Sequence, residues 1–429
     1  MTKVFRVFPN KKLINIIKGI GSYLLTKEYG KILDTTGGAS SYAILGHNHP
    51  QVFKAIIKQF KKFSHIDYKT FNDENLEILS KILTKNSNTN LKKVYFSGNS
   101  GAESCEAALR LSYQIRKLEN KSSKKWFISR MQSYHGSTAD ALSLGQRPNL
   151  EFYRKTLSKY RSRIPMHHPL HLKKKNESLD EYAKRSAKEL EKEILKIGPK
   201  NVSGFVGETI MGSLVGDVPP AKNYWKYIRN ICDKYDVHLI IDECYCGTGT
   251  TGKYLCIDWD QISPDFLFIS KTLSAGYGAL GAVLTNNNHY EKIKKFGRFN
   301  HSTTMQAHSL SVASAIEVQN IVNRKFFLNQ VVLKGDYCRK VINDELKNVR
   351  LFKNVRGRGL RFSVEHKTKN NNLFSKKLFE QMIKNKIFTD IKFHRTCFTP
   401  PLIISRKEIN FFLDNYIKTF KKLSLNNEF

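Results

Sequence analysis

A chain of 429 residues, 40% of them hydrophobic, is long enough to bury a large core and suggests one big domain with a smaller one beside it. No run of about 18 apolar residues occurs, and the start MTKVFRVFPNKK has no signal-peptide core, so neither a membrane span nor secretion is expected and a cytoplasmic location follows. The formal net charge of +35 raises nucleic-acid binding, but the lysines are spread beside abundant Asn, Ile and Phe without an aromatic-interleaved basic stripe, which reads as A/T-rich codon usage and excludes nucleic acid as an expected partner.

From the N-terminus, GSYLLTKEYGKILDTTGG reads as two short strands around a turn. Between Lys93 and Leu284, apolar β-rich runs at 94–97, 126–129, 204–208, 238–242 and 266–270 alternate with helical patterns, the signature of a parallel sheet covered by helices. Before Gly198, Ser178 and Glu181 form a capping box for a helix whose apolar side carries Tyr182, Ala183, Ala187, Leu190 and Ile194. From Ser309 onward helical periodicity resumes, followed by RGRGLRFSV and PPLII, a smaller α+β unit. Residues 1–45 are assigned to that smaller domain together with 309–429, and 46–308 to the large one. The seven cysteines are scattered and odd in number, which fits reduced thiols, and the spacing of Cys244 and Cys246 is not that of a zinc pair, so no metal is expected.

Asp242 and Lys271 stand out because each ends a buried strand, the edge where open α/β sheets place their ligands. A bare ammonium is costly to bury there, whereas a neutral amine is free to attack an aldehyde. An aspartate opposite a pyridine nitrogen favours the protonated ring, an electron sink for a carbanion. Ser100, Gly101 and Ala102 lie where a strand turns into a helix, so free N–H groups and small side chains offer an anion site. Tyr134, His135 and Gly136 follow another strand, and the tyrosine brings a ring for a flat heterocycle to stack on.

These stretches, with ISRMQSYHGSTADALSLG, FVGETIMGS, IIDECYCGTGTTGKY, PDFLFISKTLSAGYGALGAVL, HSTTMQAHSL and VRGRGLRF in order, resemble the class III (ω-type, fold-type I) pyridoxal-phosphate-dependent aminotransferases over nearly the whole chain. The resemblance implies fold type I: an α/β large domain with a mainly parallel sheet and a smaller α+β domain built from both chain ends. It implies pyridoxal 5′-phosphate held as a Schiff base on Lys271, with Asp242 at the ring nitrogen, and a ping-pong transfer from an amine or amino acid to an oxo acid or aldehyde. Tyr134 and Cys244 would touch opposite ring faces, Ser100 to Ala102 the phosphate, and Thr304 the phosphate of a neighbouring subunit in a homodimer. His135, Gly136 and Tyr245 would surround the cofactor, with Glu208 and Glu243 as acids near it that orient its surroundings.

Departures from the family pattern are Ala102 for Ser or Thr, Tyr245 for Gln, Thr250 for Arg, Ser213 for a gating Glu, and Cys397 for the arginine that clamps a substrate carboxylate. Without that arginine, Arg395, Arg358 or another group must serve. An aminomutase, epimerase or decarboxylase would share every one of these residues, and an inactive basic binding protein is the alternative of a different class.

Overall fold

The five apolar runs are strands, each within two residues of expectation: Lys93–Phe96, Trp126–Arg130, Val202–Glu208, His238–Asp242 and Phe266–Ile269. The computed structural model describes residues 3–429 except 86, 148–151, 154, 213 and 427. Two further strands, Arg161–Ile164 and Ala282–Thr285, complete a seven-stranded sheet. Its order is Lys93–Phe96, Ala282–Thr285, Phe266–Ile269, His238–Asp242, Val202–Glu208, Trp126–Arg130, Arg161–Ile164. All pairings are parallel except the two made by Ala282–Thr285.

Val202–Glu208 and His238–Asp242 are buried at every position, which requires cover on both faces. Successive residues divide between two cores. Val206, Ile240, Phe266 and Phe268 pack with Ala108, Leu111 and Ile115 of the helix Gly101–Leu118. Phe205, Leu239, Ile241 and Leu267 face Ala187, Leu190 and Ile228 on the other side. The helix Leu179–Ile197 opens on the expected capping box, with Ser178 Oγ accepting from Glu181 N at 3.2 Å and Glu181 Oε2 accepting from Ser178 N at 2.7 Å.

Tyr23–Thr26 and Gly30–Asp34 form the N-terminal hairpin, and Ile387–Phe388 pairs in parallel with Gly30–Asp34, so the two ends of the chain share one sheet. A third sheet holds Phe352–Arg358, Arg361–His366, Arg395–Phe398 and Asp390–Lys392. Leu33, Leu45, Val331, Phe362, Phe398 and Phe412 share one apolar cluster. The hairpin joining Phe352–Arg358 to Arg361–His366 turns at Gly359, where φ is +55° and an added Cβ would sit 2.6 Å from the Thr251 carbonyl carbon. Leu360 N donates to Thr250 O at 3.2 Å, so this turn is seated on the loop that follows Asp242. All seven cysteines are free and buried. Among the described residues, no helix is long and apolar enough to cross a membrane.

Candidate active site

The carboxyl ends of Val202–Glu208, His238–Asp242 and Phe266–Ile269 meet the start of the helix Gly101–Leu118 around a cavity of about 750 Å³. Ser100, Gly101, Ala102, Tyr134, His135, Gly136, Glu208, Asp242, Cys244, Tyr245 and Lys271 all border it. The fold thus brings eleven of the twelve predicted residues to one place. The twelfth, Thr304, is exposed outside this cavity, and its carbonyl oxygen lies 3.2 Å from His65 Nε2.

Ser100 caps the helix, its Oγ accepting from Glu103 N at 3.4 Å while Glu103 Oε2 accepts from Ser100 N at 3.0 Å. The next N–H groups, of Gly101 and Ala102, have no acceptor within the helix and border the cavity, the kind of helix start that takes an anion. An added Cβ on Gly101 would meet Cys244 Sγ at 2.6 Å, and one on Gly136, where φ is +144°, would meet Ala102 Cβ at 2.6 Å. Glycine at both places lets the strand ends and the helix start close on each other.

Asp242 is buried and held at both oxygens. Oδ2 is 2.8 Å from His135 Nδ1, and Oδ1 accepts from Cys244 N at 2.9 Å. The opposite ring nitrogen of His135, Nε2, is buried without a partner. Lys271 begins the short turn Lys271–Leu273, with Nζ 5.4 Å from the centre of the Tyr245 ring. The Tyr134 ring borders the cavity while the Arg147 guanidinium lies over it, Cζ 3.4 Å from the ring centre.

Glu243 follows Asp242 directly and is buried. Expected as an acid near the cofactor that orients its surroundings, it does not line the cavity itself, its Oε1 accepting from Thr209 Oγ1 at 2.9 Å and Ile257 N at 2.7 Å and its Oε2 from Cys256 N at 2.7 Å. It anchors the loop behind the cavity wall. Arg358, a candidate for the missing carboxylate arginine, is committed elsewhere, donating to Asp260 Oδ2 at 3.1 Å. Arg395 is buried against Gly216 and does not border the cavity. Ser213 lies outside the described residues. Sequence reasoning missed Tyr42, which comes from the N-terminal segment, and Ser270, Ser274 and Gly276, which follow the cofactor strand. For Tyr42 the only signal was its place inside a family-like stretch, since nothing local links residue 42 to residue 271.

Burial raises the Glu208 carboxyl to about 7, and its Oε2 has no hydrogen-bond partner. Such a group keeps its proton in the fold after the unfolded chain has lost it. Its stabilising contribution is complete below the ordinary value of 4.5 and disappears as pH rises through about 7. Glu208→Gln in cofactor-free protein is therefore expected to gain on wild type by roughly 2–4 °C in Tm between pH 5 and pH 8. Burial also raises Glu243, to about 8, but it is present in both proteins and cancels in the comparison. Parallel Tm curves for the two proteins would show that Glu208 does not hold its proton in the fold.

A separate cluster, His168, His171 and Glu365, brings potential metal-ligand atoms within 4.8 Å of one another. Glu365 already meets Lys353 Nζ at 2.9 Å and Arg356 Nη1, so a divalent ion would have to displace two cations. The cluster reads as an ion-pair network.

Comparison with known proteins follows the same line. The profile of the family described as aminotransferase class-III matches residues 7–420. An uncharacterized aminotransferase of Schizosaccharomyces pombe is 32% identical over 366 residues, 84% of this chain and 79% of that protein. A probable mitochondrial gamma-aminobutyrate transaminase of rice (Oryza sativa) is 33% identical over 319 residues, 72% of this chain and 62% of that one. Among solved structures, the omega transaminase of Pseudomonas jessenii in complex with PMP superposes with a TM-score of 0.91 over 98% of this chain and 97% of its own, at 24% identity, a likeness of fold.

Proposed function

We infer, for a chain that belongs to the class III aminotransferase family, a transfer whose donor carries its amino group on a carbon remote from any carboxylate, with an oxo acid or aldehyde as acceptor. Relatives named as gamma-aminobutyrate transaminases support the donor class. The observation that carries the assignment of residues is the single cavity in which an amine, a fixed carboxylate and a helix start converge.

Pyridoxal 5′-phosphate fits the residues present. The two glycines leave no room for side chains where the helix start approaches the strand ends, and the buried Glu208 Oε2 and His135 Nε2 still lack partners. When bound, it supplies an aldehyde that exchanges amines and a ring that takes up an electron pair. Gly101 and Ala102 would offer their N–H groups to its phosphate, with Ser100 holding the turn. Tyr134 and Cys244 border the slot for the ring. Asp242, its Oδ2 and Oδ1 fixed by His135 and Cys244 N, would supply the carboxylate that keeps a proton on the ring nitrogen. Lys271 Nζ takes the proton from the substrate carbon bearing the amino group and returns it.

The reading includes a homodimer. Thr304 is exposed beyond its own cavity, and Ile16, Ile17, Ile20, Phe53, Ile57 and Phe60 expose apolar surface suited to a second copy. Sedimentation should give twice the chain mass. The test of the chemistry is a survey of amines against purified holoprotein, read as loss of the cofactor's visible absorbance. Diamines and ω-amino acids are expected to bleach it, with α-amino acids serving only as the second partner. Should no amine do so while a substrate loses carbon dioxide or inverts its configuration, the transfer reading fails.

A further inference from the structure

Buried cations are ordinarily paired and hydrogen-bonded, because an unpaired charge out of water is expensive. Arg361 departs from this. It is fully buried; its carboxylate partner is Asp217, with Nη1 3.4 Å from Oδ1, its other neighbour is the Tyr245 side chain, and among the described residues Nε and Nη2 have no hydrogen-bond partner. Asp217 is itself shared, since its Oδ2 accepts from Ser363 Oγ at 2.6 Å. The two free donors are those on one edge of the guanidinium, the edge that grips a carboxylate through two parallel bonds. Asp217 occupies the other side.

The guanidinium is one side chain away from the reacting amine. Its Cζ lies 3.4 Å from the centre of the Tyr245 ring, and Lys271 Nζ lies 5.4 Å from the same centre. Tyr245 borders the active-site cavity. Strand register explains how the cation comes here. Ser363 is directly opposite Cys397, so Arg361 is the diagonal neighbour of Cys397 on the same face of the sheet. The cation that position 397 lacks is delivered by the adjacent strand. Thr250 O and Thr251 hold the Gly359 turn close, which fixes where Arg361 starts.

We propose that Arg361 is the residue that binds the carboxylate of the substrate, through Nε and Nη2, with the Tyr245 ring as the cover that moves aside to admit it. This rests on the aminotransferase reading above. It makes substrate choice depend on the span between amino group and carboxylate, and it gives Tyr245 and Arg361 a joint role in specificity.

The test compares 4-aminobutanoate with butylamine, which differ by the carboxylate, in single-turnover bleaching of holoprotein. Binding of butanoate, measured by calorimetric titration, is read without turnover. Arg361→Met should raise the half-saturation concentration for 4-aminobutanoate and weaken butanoate by about 30- to 100-fold, leaving butylamine within about 2-fold. Asp217→Asn should tighten butanoate by relieving competition for the guanidinium. The double variant Arg361→Met with Asp217→Asn removes both buried charges, so the fold is kept, and it should bind butanoate as weakly as Arg361→Met. A fall shared by both amines, or butanoate binding unchanged in the double variant, overturns the proposal. If wild-type protein bleaches with neither amine, the reaction reading is at fault, and the butanoate titration still decides the role of Arg361.

Discussion

Lys271→Ala is expected to lower turnover by about 10⁴-fold or more, the largest loss for any single change in this protein. Among the described residues bordering the cavity, Lys271 carries the only side-chain amine, so nothing nearby can substitute as covalent anchor or proton carrier. The phosphate and ring contacts are made by other residues, so the variant should still co-purify with cofactor. What changes is the bond: borohydride treatment should leave a phosphopyridoxyl group, the cofactor less one oxygen, on the wild-type peptide containing Lys271 and add nothing to the variant. Millimolar methylamine should restore a small part of the activity by filling the space left by the side chain. A variant that keeps wild-type turnover, or a tagged peptide from elsewhere in the chain, would remove Lys271 from the chemistry.

Why Lys271 and Asp242 could be read from the sequence is a matter of locality. Each is a charged residue that ends an unbroken apolar run, and a buried strand must end where its sheet meets solvent or ligand. The capping boxes at Ser100 and Ser178 are equally local. Arg161–Ile164 was missed for the opposite reason. It is an edge strand carrying Arg161 and Arg163, and its alternating charges look like surface. Glu243 came from the family resemblance alone, and the alternation that turns Asp242 into the cavity turns its neighbour the other way. There the chain makes a tight turn, with Gly247 N donating to Glu243 O at 2.9 Å, and Cys244, Tyr245 and Cys246 all reach the cavity while Glu243 does not. Tyr42 enters the cavity 57 positions before the next lining residue, Asn99, and Arg361 lies 116 positions after the Tyr245 it stacks on. Only tertiary packing brings them in. The net charge also finds its place: Lys and Arg dominate exposed helix faces, while buried cations such as Arg116, Arg130 and Arg361 each have a specific structural neighbour.

Asp242→Asn should lower turnover by roughly 10²- to 10³-fold while leaving the fold intact, because it separates charge from shape. The amide keeps an oxygen to accept from Cys244 N, and His135 can change tautomer so that Nδ1 accepts from the new NH₂. Every buried bond then survives, and Tm should move by no more than about 2 °C. What is lost is the negative charge opposite the ring nitrogen, and with it the preference for a protonated ring. Cofactor affinity should fall about 10-fold, and the pH dependence of the bound chromophore should shift along with turnover. Asp242→Ala separates the two effects further. It leaves Cys244 N and His135 Nδ1 buried without partners, a cost of about 1–3 kcal/mol for each group, so this variant should lose stability as well as activity. If Asn at 242 supported wild-type turnover, the carboxylate would be a structural clamp for His135 and the ring nitrogen would need no counter-charge. A Tm drop equal to that of the alanine variant would mean that the tautomer switch fails and the kinetic loss comes from a disturbed fold.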